Sequence, residues 1–155
     1  MAIELEDGPV KSWYVEHSQL DELYSLAERR EPFGYILDPK SGLLFKKLYS
    51  DETIQRLGYT VLGIIFPRPT DLHYHPDVDE AISVVRGAGL LFTRSDNFPN
   101  IESLFPNKNF LIPKNTPHAF KPYQSEFLEI ILACSGILDT SKEVQLERFD
   151  KLTIF

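Results

Sequence analysis

Three of the chain's four histidines fall in two short segments that also carry carboxylates or tight turns. The first segment is His73-Tyr74-His75-Pro76-Asp77-Val78-Asp79-Glu80. Alternate side chains on a strand point to the same face, so His73 and His75 aim two imidazoles at one point while Tyr74 faces away. Pro76 to Asp79 reads as a turn, after which the chain returns as Glu80-Ala81-Ile82-Ser83-Val84-Val85. Glu80 shares a face with Ile82 and Val84, which sets a carboxylate at the mouth of an apolar interior; Asp79 is the competing carboxylate. The second segment, Pro113-Lys114-Asn115-Thr116-Pro117-His118-Ala119-Phe120, is a turn that delivers His118 into another strand. Imidazole and carboxylate together suit one divalent transition metal: iron, manganese, nickel, copper or zinc. The competing reading is a set of histidines that hydrogen-bond at strand ends, since buried polar atoms without a metal need other partners.

These side chains must be held by strands. From residue 33 onward, runs rich in Ile, Leu, Val, Phe and Tyr alternate with turn clusters such as Asp38-Pro39-Lys40-Ser41-Gly42, Pro67-Arg68-Pro69-Thr70-Asp71 and Ser95-Asp96-Asn97. Many short strands with little helix between them predict an antiparallel sandwich or barrel. Strands are expected at 33–37, 42–49, 57–66, 72–75, 80–86, 88–94, 109–113, 117–121 and 126–134, with another at 10–15. Ser18 and Asp21 mark a helix start, and Leu20, Leu23, Tyr24 and Ala27 recur at helical spacing up to Arg30, where Pro32 forbids much continuation. The last twenty residues mix helical and extended signals and receive no assignment.

A length of 155 residues predicts one domain over 1–155, its barrel core about 33–134. The net charge of -7 opposes phosphate backbones and anionic lipid, so neither nucleic acid nor a membrane surface is an expected partner. Cys134 stands alone in an apolar run and reads as a small core residue. The acidic N-terminus lacks the pattern of a signal peptide, and no apolar stretch has the length of a membrane span, so a cytoplasmic protein is expected.

The first segment resembles the first motif of the cupin superfamily, in which HxH is followed within a few residues by Glu and then, after six more, by Gly. His73, His75, Glu80 and Gly87 have that spacing, with Ala81 to Arg86 as the six between. Pro113 and His118 resemble the second motif. The resemblance covers residues 63–122 and has three departures. Gly63 lies farther before His73 than the motif's first glycine should. Asn115 replaces a glycine, a mild change because Asn tolerates left-handed backbone. Pro122 stands where the family often has Asn.

The resemblance implies an all-β jelly-roll barrel behind a short N-terminal helix, frequently a homodimer, with a metal held by His73, His75, Glu80 and His118. An octahedral metal would keep two adjacent positions for water, oxygen or a bidentate substrate. The function expected is a metal-dependent enzyme acting on a small polar molecule. A non-haem metal dioxygenase is preferred over an isomerase or lyase, for example on a sugar, and over a non-catalytic ligand-binding module. No residue is assigned as a catalytic acid or base. Glu129, within an apolar run, is read either as a partner for a ligand imidazole or as an edge-strand charge facing solvent. His17 is read as a surface residue, and Tyr59, Arg68, Arg94 and Tyr123 are set aside.

Overall fold

The structure is a computed structural model that describes residues 2–4, 14–16, 25–38, 42–95, 98–123, 127–138 and 142–148. The expected helix start at Ser18 and Asp21, the surface position of His17 and the strand residues 10–13 lie outside the described residues. Strands β1 (Ala2–Glu4) and β2 (Tyr14–Glu16) pair antiparallel as a sheet of their own. Helix α1 covers residues 25–30 and leads into a 3-10 turn, Glu31–Phe33, which Gly34 ends in the left-handed conformation.

The body is two antiparallel sheets. Its strands are β3 (Ile36–Asp38), β4 (Leu43–Lys47), β5 (Thr60–Phe66), β6 (Leu72–Tyr74), β7 (Glu80–Arg86), β8 (Gly89–Ser95), β9 (Phe98–Leu104), β10 (Asn109–Ile112), β11 (His118–Pro122), β12 (Leu128–Cys134) and β13 (Val144–Glu147). One sheet has six strands in the order β10-β7-β12-β5-β4-β3, and the other has five in the order β13-β6-β11-β8-β9. The two inner faces bury Ile64, Phe66, Ile82, Val84, Leu91, Leu104, Ile112, Phe120, Ile130 and Leu132 against one another. Phe66 from one sheet stacks on Phe120 from the other, with ring centroids 4.6 Å apart. On β7 the burial alternates as the sequence predicts: Glu80, Ile82 and Val84 are buried, while Ala81, Ser83 and Val85 are exposed.

The outer face of the six-stranded sheet is also covered, which is why β5 and β12 read as near-continuous apolar runs. Leu26 of α1, Tyr35, Leu44 and Ile65 form a second cluster there. This layer corrects both readings of Glu129. β12 lies between β7 and β5, so it is not an edge strand, and the Glu129 carboxylate neither faces solvent nor touches a histidine. It accepts hydrogen bonds from the Tyr35 hydroxyl at 2.9 Å and from Arg86, its cross-strand partner, at 2.7 and 3.2 Å. Burial, reinforced by the Glu129 charge, pushes the Tyr35 hydroxyl pKa well above its ordinary value.

Several elements depart from the sequence reading: β1 was not expected, and the strand expected at 33–37 begins only at Ile36, after the 3-10 turn. The strand expected from residue 57 begins at Thr60, because helix α2 (Asp51–Leu57) occupies the preceding residues. Its signals are local and short: the Ser50 hydroxyl accepts from the Thr53 N–H, Asp51 and Glu52 lie in the first turn, and Gly58 closes it at φ 76°. Only Ile54 of this helix is buried, so it lacks the apolar period that announces a helix. β9 carries no alternation because it is an edge strand with Pro99 inside and Leu104 as its sole buried residue. β13 lies in the segment left without an assignment. Among the described residues no helix is long and apolar enough to cross a membrane.

Gly87 links β7 to β8 at φ 85°, and a Cβ there would overlap the Phe127 carbonyl oxygen. A side chain meets both a left-handed backbone and a clash with main chain. Gly87→Ala is therefore expected to cost about 2 kcal/mol or more, lowering the melting temperature by roughly 4–8 °C. A thermal melt unchanged from the parent would refute this account of Gly87.

Candidate metal centre

β6 is only three residues long, and its alternation turns His73 inward, hides Tyr74 on the opposite side and brings His75 inward just beyond the strand. β11 pairs with β6 so that His118 lies directly opposite His73, with ring centroids 4.4 Å apart. One ring nitrogen from each of His73, His75 and His118 lies within 4.8 Å of the other two. The carboxylate comes from the facing sheet: Glu80 Oε1 is 3.4 Å from His75 Nε2 and 3.2 Å from His118 Nε2. All four residues are buried. The structure thus brings together the four side chains singled out from the sequence.

The imidazoles are oriented by main chain. His73 Nδ1 lies 2.7 Å from the Asp71 carbonyl, and His118 Nδ1 lies 2.9 Å from the Thr116 carbonyl. A carbonyl oxygen only accepts, so each Nδ1 carries the hydrogen and each Nε2 is free to offer its lone pair to a metal. Asp79, the competing carboxylate, is used elsewhere. It accepts the Lys114 N–H at 2.8 Å, and its own N–H donates to the Ser135 hydroxyl at 2.9 Å. Asn115, in place of the motif glycine, adopts φ 64°, and its N–H donates to the His75 carbonyl at 2.9 Å. The two histidine loops are therefore tied to each other by backbone.

Charge in this pocket is unevenly shared. Burial, then the charges of His118 and His75, hold the His73 pKa well below the ordinary histidine value. Burial also lowers that of His75, outweighing the nearby Glu80. His118 goes the other way: burial pushes it down, but the Glu80 carboxylate more than compensates and raises it. Burial likewise works against ionised Glu80, yet His118 and His75 keep its pKa below the ordinary value. Glu80 Oε1 and His118 Nε2 have no well-aligned hydrogen-bond partner among the described residues. A buried carboxylate converging with three imidazoles fits a divalent cation of the borderline class.

One member of the cluster was not foreseen. Glu143, just before β13, places Oε1 3.5 Å from Nε2 of both His73 and His75, while its Oε2 accepts from Gln145 Nε2 at 2.6 Å. Burial pushes its pKa up to about 8, with the Glu80 and Asp71 charges adding to the effect. Its only sequence signal is a polar alternation with Gln145 across Val144. Nothing local says which sheet edge that alternation joins.

A cavity of about 450 Å³ opens from the cluster. Its walls are Phe45, Leu62, Ile64, Phe66, Phe120, Ile130, Leu132 and Leu138, and the exposed Lys47, Asp51 and Gln55 mark its mouth. Tyr59, Arg68, Arg94 and Tyr123 do not line it. Cys134 is a buried free thiol whose pKa burial raises to about 12, which leaves it protonated and inert, the core role read from the sequence.

No protein-family profile matches the chain, and no curated protein matches it. Solved structures do. A cupin-like protein from Thermotoga maritima superposes with a TM-score of 0.53 at 22% identity, over 68% of this chain and 77% of that one. The fold is that of a cupin. Oxalate oxidase matches with a TM-score of 0.51 at 16% identity, over 58% of this chain and 47% of its own. Oxalate decarboxylase from Bacillus subtilis, in a structure concerned with its Mn(II) centres, gives 0.55 at 14% identity over 67% of this chain and 27% of its own. The chain thus spans about half of the oxidase and about a quarter of the decarboxylase.

The Glu143 shift has a consequence for the metal-free protein. A carboxyl whose pKa rises from 4.5 to about 8 on folding contributes most below the lower value, and that contribution is lost as pH rises through the interval. Glu143→Gln keeps the uncharged form at every pH. In melts of metal-free protein, the parent is expected to lose ground against this variant between about pH 5 and pH 8. Parallel melting curves across that range would rule out a buried, proton-holding Glu143.

Proposed function

We propose that this cupin is a metal-dependent enzyme. His73, His75, Glu80 and His118 hold one divalent transition metal at the floor of the cavity, and the substrate has an apolar body with an oxygen-bearing head. The observation that carries the reading is the convergence of three Nε2 lone pairs and a buried carboxylate, from two sheets, on one point open to that cavity. Among metal chemistries, oxygenation as a non-haem dioxygenase is preferred. A redox-active metal bound there would supply Lewis acidity and electron transfer toward dioxygen.

The residues of the chain do the rest. The Asp71 and Thr116 carbonyls keep His73 and His118 in the ligating tautomer. Phe66, Phe120, Ile64 and Leu132 exclude water and seat an apolar body against the floor. The wall also argues against a sugar, whose hydroxyls need polar partners. The Thr70 hydroxyl is already accepting the Phe120 N–H, and the Thr60 hydroxyl accepts the Leu138 N–H and donates to the Gly136 carbonyl. It suits oxalate, named for two of the neighbours, no better. Lys47 is the one permanent cation among the described lining residues, and it is exposed at the mouth, paired with Asp51 at 2.7 Å. The substrate proposed here is therefore larger and more apolar than the small polar molecule expected from the sequence.

His75→Ala is expected to lose metal and to melt at lower temperature than the loaded parent, since binding is linked to folding. Metal content by mass spectrometry and a thermal melt check this, and full retention of both would remove His75 from the ligand set. For the metal-loaded parent, affinity for a series of straight-chain carboxylates should rise about fourfold per added methylene until the cavity is full, from about 0.8 kcal/mol each. Iron-dependent oxygen uptake with such compounds or with phenols supports the oxygenase. Isomerised product without oxygen use would replace it with Lewis-acid chemistry, and tight binding without turnover with a binding module.

A further inference from the structure

Glu143 reaches the histidine cluster from a part of the chain that neither histidine segment includes. β13 adds to the edge of β6 with Gln145 opposite His73, and this pairing carries the preceding residue over the cluster. The two carboxylates divide the triangle of ring nitrogens between them. Glu80 Oε1 lies across the edge from His75 to His118, at 3.4 and 3.2 Å. Glu143 Oε1 lies across the edge from His73 to His75, at 3.5 Å from each. Two donors at right angles around one ion, each about 2.1 Å from it, are about 3.0 Å apart, so both carboxylates stand at a spacing that small movements close.

Two further observations fit the same arrangement. The Glu143 side chain is 7% exposed, as deeply placed as the His73 ring, so solvent is a poor partner for its charge. Its second oxygen is held by Gln145 Nε2 at 2.6 Å, the kind of outer contact that fixes a ligating carboxylate. A divalent ion also balances two carboxylates, and buried charge requires that balance.

We infer that Glu143 is a fifth protein ligand of the metal bound by His73, His75, Glu80 and His118. The inference rests on the metal reading proposed above and changes its consequence. A six-coordinate ion with five protein donors keeps one exchangeable position rather than two. A substrate then binds through a single oxygen, or binds through two only by displacing Glu143.

Manganese(II) serves as the probe, because the relaxation it induces in water protons counts the exchangeable waters it carries. The parent protein is expected to bind the ion with one such water. Glu143→Ala and Glu143→Gln should carry two and bind about 10- to 100-fold more weakly by equilibrium dialysis. Glu147→Gln, an exposed neighbour on β13, should match the parent in both measurements. Two waters on the parent overturn the inference without any variant and leave the four-residue site standing, as does unchanged affinity and water count on loss of the Glu143 carboxylate. A parent that binds neither manganese nor iron nor zinc brings down the metal reading itself.

Discussion

A carboxylate on one sheet faces imidazoles on the other across the interior of the sandwich, and the rest of the site is arranged around that contact. Glu80 opens β7 and meets His118 at 3.2 Å and His75 at 3.4 Å. Ionised groups this deeply buried need compensation at close range, because the interior solvates them poorly. The metal-free pocket finds it in protons: His118 is drawn toward its charged form, and Glu143 toward its neutral one. His73 and His75 remain neutral donors of lone pairs. A dication supplies the same compensation without either proton.

The precision of the cluster comes from backbone. β6 contributes three residues, too few to hold its own position, and it is fixed by β11 on one side and β13 on the other. The loops on either side are laced together. Asn115 N–H reaches the His75 carbonyl, Lys114 N–H reaches Asp79, and Asp79 exchanges hydrogen bonds with Ser135 at the end of β12. Three segments distant in sequence thus share one hydrogen-bonded frame, and the imidazoles inherit its rigidity. The same frame occupies Asp79, which separates two carboxylates that sequence spacing alone left in competition.

What could be read in advance was what is encoded locally. The alternation of His73 with His75, and of Glu80 with Ile82 and Val84, follows from the two-residue period of a strand, and the structure keeps both. Asn115 in the left-handed region was similarly foreseeable from its side chain. The features that escaped depend on which strand lies beside which. Glu129 looks like an edge charge until the sheet order puts β12 in the middle and Tyr35 above it. β9 hides its strand character because an edge exposed to water needs no apolar alternation. Glu143 joins the site only because β13 pairs with β6, a contact between segments about seventy residues apart with no local mark.

The cavity divides labour between its floor and its wall. The metal-binding donors are confined to the floor, while of the two hydroxyls among the lining residues that of Thr60 both donates to and accepts from backbone and that of Thr70 accepts the Phe120 N–H. A wall of this kind binds by area removed from water, and it tells neighbouring homologues apart only weakly, at about 0.8 kcal/mol per methylene. Its specificity for chemistry must come from the head group that reaches the floor, where an unmatched polar atom meets buried charge and is rejected strongly. Selection by head and tolerance in the body follow directly from that separation. The exposed Lys47–Asp51 pair at the mouth adds little to either, since it is screened by solvent and already satisfied.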